Sequence, residues 1–209
     1  MRHRYIPIAA LAVLAWGSVF PEPSSPPRLV VVVVIDQFRT DYLYRFSEHY
    51  LPPRDGERMG GIRFLMEEGA VYRNARHLHQ NTSTGPGHAA ILTGAPPSRT
   101  GIVGNWWMDR RKEKIVGCVA DPGDRMVGGG REPATARNLL APTVGDELEQ
   151  VTAGRSRTVS IAYKDRSAIL LGGHSADTVL WIDYQIGSWV SSAYYFPSGS
   201  LPGWVAELN

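Results

Sequence analysis

One cysteine, Cys118, stands among the 209 residues of this chain. A single thiol excludes any intrachain disulfide, and a zinc centre would have to rely on histidine and carboxylates. Long apolar runs are equally scarce. The stretch near the start, Ile6 to Trp16, falls short of the roughly 20 residues of a comfortable membrane span. Neither sign of charge dominates, with 22 Lys and Arg against 20 Asp and Glu and a formal net charge of +2. That balance argues against a nucleic-acid-binding surface. The only dense basic run, Arg110-Arg111-Lys112-Glu113-Lys114, reads as the polar tip of a hairpin. No internal repeat or low-complexity block is evident. What remains is a soluble globular composition, 43% hydrophobic and 20% charged, of a length that suits one domain or part of a larger one.

The first residues resemble an export signal. Arg2 and Arg4 supply a positive start, Ile6 to Trp16 a short apolar core, and Ala15-Trp16-Gly17 small residues near a cleavage point. Pro7 and the poor cleavage context leave an uncleaved anchor open. A linker from Pro21 to Pro27 follows, so residues 1–27 are expected to be signal and linker, and the product periplasmic or secreted. No stable membrane span is expected, and no residue pattern fixes the oligomeric state.

Leu29-Val30-Val31-Val32-Val33-Val34-Ile35 then runs into Asp36. Seven consecutive apolar, mostly β-branched residues cannot alternate between core and solvent. They predict a strand buried on both faces, as in a parallel sheet covered by helices. Ligands in open α/β sheets collect beyond the carboxyl ends of the strands. Asp36 is therefore either a metal or catalytic group or a cap for the following helix. Further on, a short helix is expected within Gln37 to Tyr50, a second over Met59 to Glu68 stopped by Gly69, and a strand over Ala70 to Ala75. Gly87 to Leu92 reads as a small-residue helix and Trp106 to Ala120 as a hairpin. Leu139 to Val151 is amphipathic, with Pro142 in its first turn. Thr158 to Ala162 is a short strand, and Thr178 to Tyr184 with Ser188 to Tyr195 a second hairpin. Strands alternating with helices predict an α/β protein.

Thr84, within Asn81-Thr82-Ser83-Thr84-Gly85-Pro86-Gly87-His88, sits where loop becomes helix. A hydroxyl there meets free N–H donors and the positive end of the helix dipole, which favours an alkoxide and a bound phosphate dianion. The same position also suits an ordinary N-cap threonine. His88 reads as a packing histidine, and His77 and His79, spaced for one face of a strand, are read without a ligand role, as is His174. Asn105 in Gly104-Asn105-Trp106 would ordinarily support a turn with positive φ. Lys164-Asp165-Arg166 would ordinarily be a solvated loop with a weak local ion pair.

Four separated motifs nevertheless occur together in order: Asp36 to Leu43, Thr84-Gly85-Pro86-Gly87-His88, Gly104-Asn105-Trp106 and Lys164-Asp165-Arg166. From about Leu29 onward the chain resembles the N-terminal part of the alkaline phosphatase superfamily. Within it, the phosphodiesterase/nucleotide pyrophosphatase group is the nearest, and its phosphate-insensitive bacterial alkaline phosphatases nearest of all. The resemblance implies an alkaline-phosphatase-like, mostly parallel sheet flanked by helices, with residues 28–209 as the N-terminal portion of a catalytic domain. It implies a two-zinc site in which Asp36 and Thr84 ligate one ion. Thr84 would be the nucleophile, forming a phospho-threonine intermediate, while Asn105, Lys164 and Arg166 would contact the phosphoryl group of a phosphate ester. The expected activity is hydrolysis of phosphate monoesters. A nucleotide pyrophosphatase or phosphodiesterase and a non-catalytic phosphate- or metal-binding fragment are the alternatives. The remaining zinc ligands of that family, an Asp-x-x-x-His motif, an Asp-His pair and a distant His, have no match. Asp36 and Asp177 are followed four residues on by Thr40 and Trp181, and no Asp-His dipeptide occurs. On this reading the chain is a truncated product with little activity of its own.

Overall fold

The computed structural model describes residues 27–209 except 53, 57 and 112. The chain divides into two compact units, Met1–Phe38 and Arg39–Asn209. The expected export signal lies outside the described residues.

In the first unit, Leu29 to Ile35 forms no strand, and Leu29, Val31 and Val33 are exposed. This corrects the expected buried strand. A continuous apolar run is buried only when neighbours pair with both of its edges and helices cover both of its faces. Among the described residues no strand is paired with this one. Asp36 accordingly lies in an exposed turn rather than at the end of a sheet strand.

The second unit opens with the short helix α1 (Tyr42–Arg45), a two-residue ladder between β1 (Arg54–Asp55) and β2 (Arg58–Met59), and α2 (Ile62–Glu68). Gly69 ends α2 as expected. The strand expected over Ala70 to Ala75 is irregular and exposed. Next come α3 (Thr84–Thr93), α4 (Pro97–Thr100), the antiparallel hairpin of β3 (Trp106–Asp109) and β4 (Lys114–Gly117), and β5 (Met126–Val127). The chain closes with α5 (Val144–Val151), β6 (Val159–Ala162), α6 (Asp165–Gly172), β7 (Thr178–Asp183), β8 (Ser188–Ser192) and α7 (Gly203–Ala206).

The main sheet has the order β5-β8-β7-β6. β6 and β7 are parallel, joined by α6 as the crossover, whereas β7–β8 and β5–β8 are antiparallel. The α/β architecture is as expected, and the described sheet is mixed because the 178–192 hairpin reverses direction. β7 illustrates the rule that the 29–35 run does not follow. Its successive Val179, Leu180 and Trp181 are all buried, since strands flank both edges and α6 packs against it. The core joins Ala168, Ile169 and Leu170 of α6 to Ala89 of α3, Ile102, Cys118, Val179 and Val190. Burying a side chain the size of Ile169 or Leu170 contributes about 1.5–3 kcal/mol. Small residues on α3 let it approach α6 closely, and Gly94, in the left-handed conformation, ends it.

Candidate active site

Thr84 is the first residue of α3 and is buried. The N-cap position belongs to Ser83, whose side chain makes no capping bond. The ordinary N-cap role is thus not the one Thr84 plays. Proline at position 86 offers no N–H, and the Gly87 N–H returns to the Ser83 carbonyl at 3.0 Å. The Gly85 N–H donates instead to Asn105 Oδ1 at 2.7 Å. This bond ties the start of α3 to the start of the β3–β4 hairpin. It consumes the carbonyl of the Asn105 amide and leaves its two N–H donors as what the side chain offers. Asn105 is not among the residues with positive φ, so the turn-former role is excluded as well. Asn81 braces the approach, accepting from Ser83 N–H at 3.2 Å and donating to the Val103 carbonyl at 2.8 Å.

Cys118 lies beneath this junction. A Cβ on Gly85 would come within 3.1 Å of both Cys118 Sγ and Asn105 Oδ1, and 3.2 Å of the Gly104 carbonyl. Burial pushes the Cys118 thiol up to about 12, with Asp165 adding to the rise and Arg166 opposing it. The thiol is therefore neutral and inert, and the electrostatic reach of Asp165 and Arg166 brings the start of α6 to the same place. Gly85→Ala should cost about 1–3 kcal/mol by overpacking and should speed modification of Cys118 by a thiol reagent. A variant with the parent's melting temperature and the parent's protected thiol would show that the junction yields.

Lys164 is the N-cap residue of α6, and its carbonyl accepts from the Ser167 and Ala168 N–H groups at 3.1 Å. Arg166, two residues along, is only 20% exposed at its side chain. Its Nη1 lies 3.4 Å from Asp165 Oδ1, a loose ion pair, and its Cζ sits 5.4 Å from the centroid of the Trp106 ring. Arg166 Nε and Ser83 Oγ are both shielded from solvent without a hydrogen-bond partner. Orphaned buried groups of this kind are costly in a native structure and mark places where a ligand or water completes the bonding. Tyr184 belongs to the same neighbourhood. Burial and the nearby Tyr163 raise its pKa, and Arg166 and Asp165 act on it in opposite directions.

Of the expected site residues, Thr84, Asn105 and Arg166 converge through Gly85, Cys118 and the packing of α3 on α6, with Lys164 two residues before Arg166. Asp36 belongs to the N-terminal unit, Met1–Phe38, and lies in an exposed turn there. Only Lys164 and Arg166 follow a strand, β6, whereas Thr84 and Asn105 come from a helix start and a hairpin start. His88 is a packing residue, its Nδ1 2.8 Å from the Thr84 carbonyl, and His174 Nδ1 lies 3.2 Å from the Tyr194 hydroxyl. Sequence reasoning assigned no role to Trp106, Cys118 or Tyr184. Trp106 stood beside Asn105 in a quoted motif, which was the one available signal. An apolar groove of about 480 Å³ lined by Leu92, Leu140, Val144 and Leu148 contains none of the expected site residues.

Comparison with known proteins identifies the family of the chain. The family model described as type I phosphodiesterase / nucleotide pyrophosphatase matches residues 30–208. Alkaline phosphatase PhoV of Synechococcus elongatus is 41% identical over 92% of this chain and 34% of its own length. Alkaline phosphatase PafA of Elizabethkingia meningoseptica is 38% identical over 88% of this chain and 32% of its own. The crystal structure of wild-type PafA superposes with a TM-score of 0.77 at 36% identity, covering 84% of this chain and 33% of that one. A PafA mutant with one Thr→Ser, one Asn→Ala, one Lys→Ala and one Arg→Ala substitution matches equally well, with a TM-score of 0.77. The chain thus spans about a third of the length of the relatives it matches.

Proposed function

Since the chain belongs to the type I phosphodiesterase / nucleotide pyrophosphatase family, we propose that residues 28–209 are the nucleophile-bearing and phosphoryl-binding part of a phosphate monoester hydrolase. The observation that carries the reading is the Gly85–Asn105 bond at 2.7 Å, which ties the Asn105 side chain to the residue that follows Thr84 at a helix start. The four residue types altered together in the PafA mutant support it. They are a Thr, an Asn, a Lys and an Arg in that order, the types and order of Thr84, Asn105, Lys164 and Arg166 here.

In the first step Thr84 Oγ forms a bond to phosphorus as the bond from phosphorus to the ester oxygen breaks, and the alcohol leaves with a proton. In the second, water attacks the phospho-threonine and releases inorganic phosphate. The dipole of α3 favours negative charge at Thr84. Arg166 presents a planar fork to two phosphoryl oxygens, Lys164 a point charge and Asn105 an amide donor, all stabilising charge that grows in the transition state. Two cationic side chains suit the dianionic monoester better than the singly charged diester, which favours a phosphatase over the pyrophosphatase alternative.

The family resemblance also calls for zinc. A catalytic zinc takes about three protein ligands. Asp36 and Thr84 supply two, and no group of three or more His, Cys, Asp or Glu among the described residues could hold a metal. The described residues therefore do not complete such a site, and the steps above pass through the side chains alone. Arg2, Arg4 and the apolar core that follows them support export to the periplasm or beyond. No helix among the described residues is long and apolar enough to cross a membrane.

The test is a titration of the chain with inorganic phosphate, followed by ³¹P NMR, beside assays of p-nitrophenyl phosphate and of its bis-ester with zinc supplied. Arg166→Ala should weaken phosphate binding by about 30-fold, the loss of one charge-assisted bidentate contact. Thr84→Ala should retain binding, and any turnover should vanish with it. Equal phosphate affinity in the parent and Arg166→Ala would remove the site, and faster cleavage of the bis-ester would transfer the activity to the diesterase alternative.

A further inference from the structure

The Arg166 guanidinium is one of the three phosphoryl-binding groups proposed above, and the structure gives it little polar support. Its Nε has no hydrogen-bond partner among the described residues, and its ion pair to Asp165 stretches to 3.4 Å. The Trp106 ring, with its centroid 5.4 Å from Arg166 Cζ, is within the range of a cation–π contact. We infer that Trp106 is the positioning residue of Arg166, holding the guanidinium in place for a phosphoryl group while spending none of its N–H donors itself. The inference rests on the reading of Arg166 as a phosphoryl ligand.

The choice of an aromatic ring over a carboxylate carries the argument. A carboxylate beside Arg166 would bind it through two N–H groups and cancel its charge, the two properties a phosphate needs. A ring attracts the cation by its face and takes none of the donors, which lie in the guanidinium plane and stay available at its edge. The loose pair with Asp165 and the orphaned Nε are what this arrangement leaves behind.

Trp106 is itself held in place by the hairpin. It pairs with Gly117 across the ladder. A Cβ on Gly117 would stand 3.7 Å from Trp106 Cδ1 and 3.8 Å from its Nε1. The indole thus lies within ordinary van der Waals reach of position 117. Asn105 precedes Trp106 directly, so two successive residues at the start of β3 would serve the phosphoryl group, one by donating to it and one by holding the other donor. Although 62% exposed, Trp106 would then owe its place to Arg166 rather than to the core.

A double-mutant cycle on inorganic phosphate binding, measured by ³¹P NMR with the 209-residue chain, tests this. Trp106→Leu, which keeps bulk and loses the ring, should weaken phosphate about tenfold, and Trp106→Phe should stay within about threefold of the parent. In an Arg166→Ala background, Trp106→Leu should change nothing further. The Arg166 Nε–H resonance supplies a ligand-free reading. Ring current should shift it upfield in the parent and in Trp106→Phe, and the shift should disappear in Trp106→Leu. Trp106→Leu binding as the parent does, a tenfold loss that persists without Arg166, or an unshifted Nε–H in the parent would each overturn the inference while leaving Arg166 a phosphate ligand. No phosphate binding by the parent would overturn both.

Discussion

Replacing Gly173 with alanine should destabilise the chain by about 4 kcal/mol or more. Gly173 follows α6 with φ +79° and ψ −155°, a backbone conformation that is essentially glycine-only. Space is refused as well. A Cβ would stand 2.3 Å from Thr143 Oγ1 and 2.5 Å from Asp146 Oδ2. Neither atom can withdraw, because Thr143 and Asp146 are locked to each other in the capping box that opens α5. The Gly173 carbonyl is pinned too, accepting from the Tyr195 hydroxyl at 2.9 Å. Total stabilities of about 5–15 kcal/mol leave little margin for such a change. Urea denaturation followed by circular dichroism measures it. A midpoint close to that of the parent would mean that the α6–β7 turn relaxes in a way this packing denies.

Asp146→Ala should cost about 3–5 kcal/mol at neutral pH, and its effect should depend on acidity. The carboxylate accepts from the Thr143 N–H at 2.8 Å, the Thr143 hydroxyl at 3.1 Å, the His174 and Ser175 N–H groups at 2.7 Å each, and the Ser175 hydroxyl at 2.8 Å. It thereby joins the start of α5 to the loop after α6, and alanine would strand three backbone donors. Burial alone would raise the Asp146 pKa, but the bonds from Thr143, Ser175 and His174 outweigh it and hold the value below that of an ordinary aspartate. Asp177 is lowered likewise: burial raises its pKa, and the bonds from Thr158 and Arg157 more than reverse the effect. A native pKa below the unfolded value of about 3.9 means that the unfolded chain takes up the proton first. The stabilisation is fully present above the unfolded value and drains away as the pH falls through the lowered native one. The parent should lose stability steeply below about pH 4, and Asp146→Ala, weaker throughout, should lose it more gradually. The same slope in both chains would assign the acid sensitivity to other groups.

Most helices and strands of the second unit were legible in the sequence because their signals are local. Gly69 stops α2 as expected, and the two hairpins at 106–117 and 178–192 fall within their expected spans. Helix α5, by contrast, starts at Val144 behind its Thr143 cap rather than at Leu139, leaving Pro142 outside the helix instead of in its first turn. Helix α6 escaped notice because Lys164-Asp165-Arg166 reads as a polar loop, and only packing on α3 and the sheet reveals the apolar face of Ala168, Ile169 and Leu170. The 29–35 run was misread for a complementary reason: composition states that a segment is apolar, and pairing depends on partners that composition does not name. The site was legible as a list, since Thr84, Asn105, Lys164 and Arg166 stand in recognisable motifs. Its assembly was not, because the Gly85–Asn105 bond, the cysteine beneath it and the tryptophan ring against Arg166 arise between residues far apart in the chain.

The place of β8 in the sheet also sets an order of events in the making of this protein. Among the described residues, β5, at residues 126–127, has no partner in the sheet other than residues 191–192 of β8. On the ribosome, which emits chain from the N-terminus, the helix start at Thr84 and the hairpin start at Asn105 therefore exist long before the layer that joins β5 to β6 and β7 can close. Contacts of such long sequence separation are slow to form. The residues of the candidate site are consequently translated early and fixed late, and a pause in synthesis between β6 and β8 would hold the chain at the stage where α3 has its sequence but not yet its sheet.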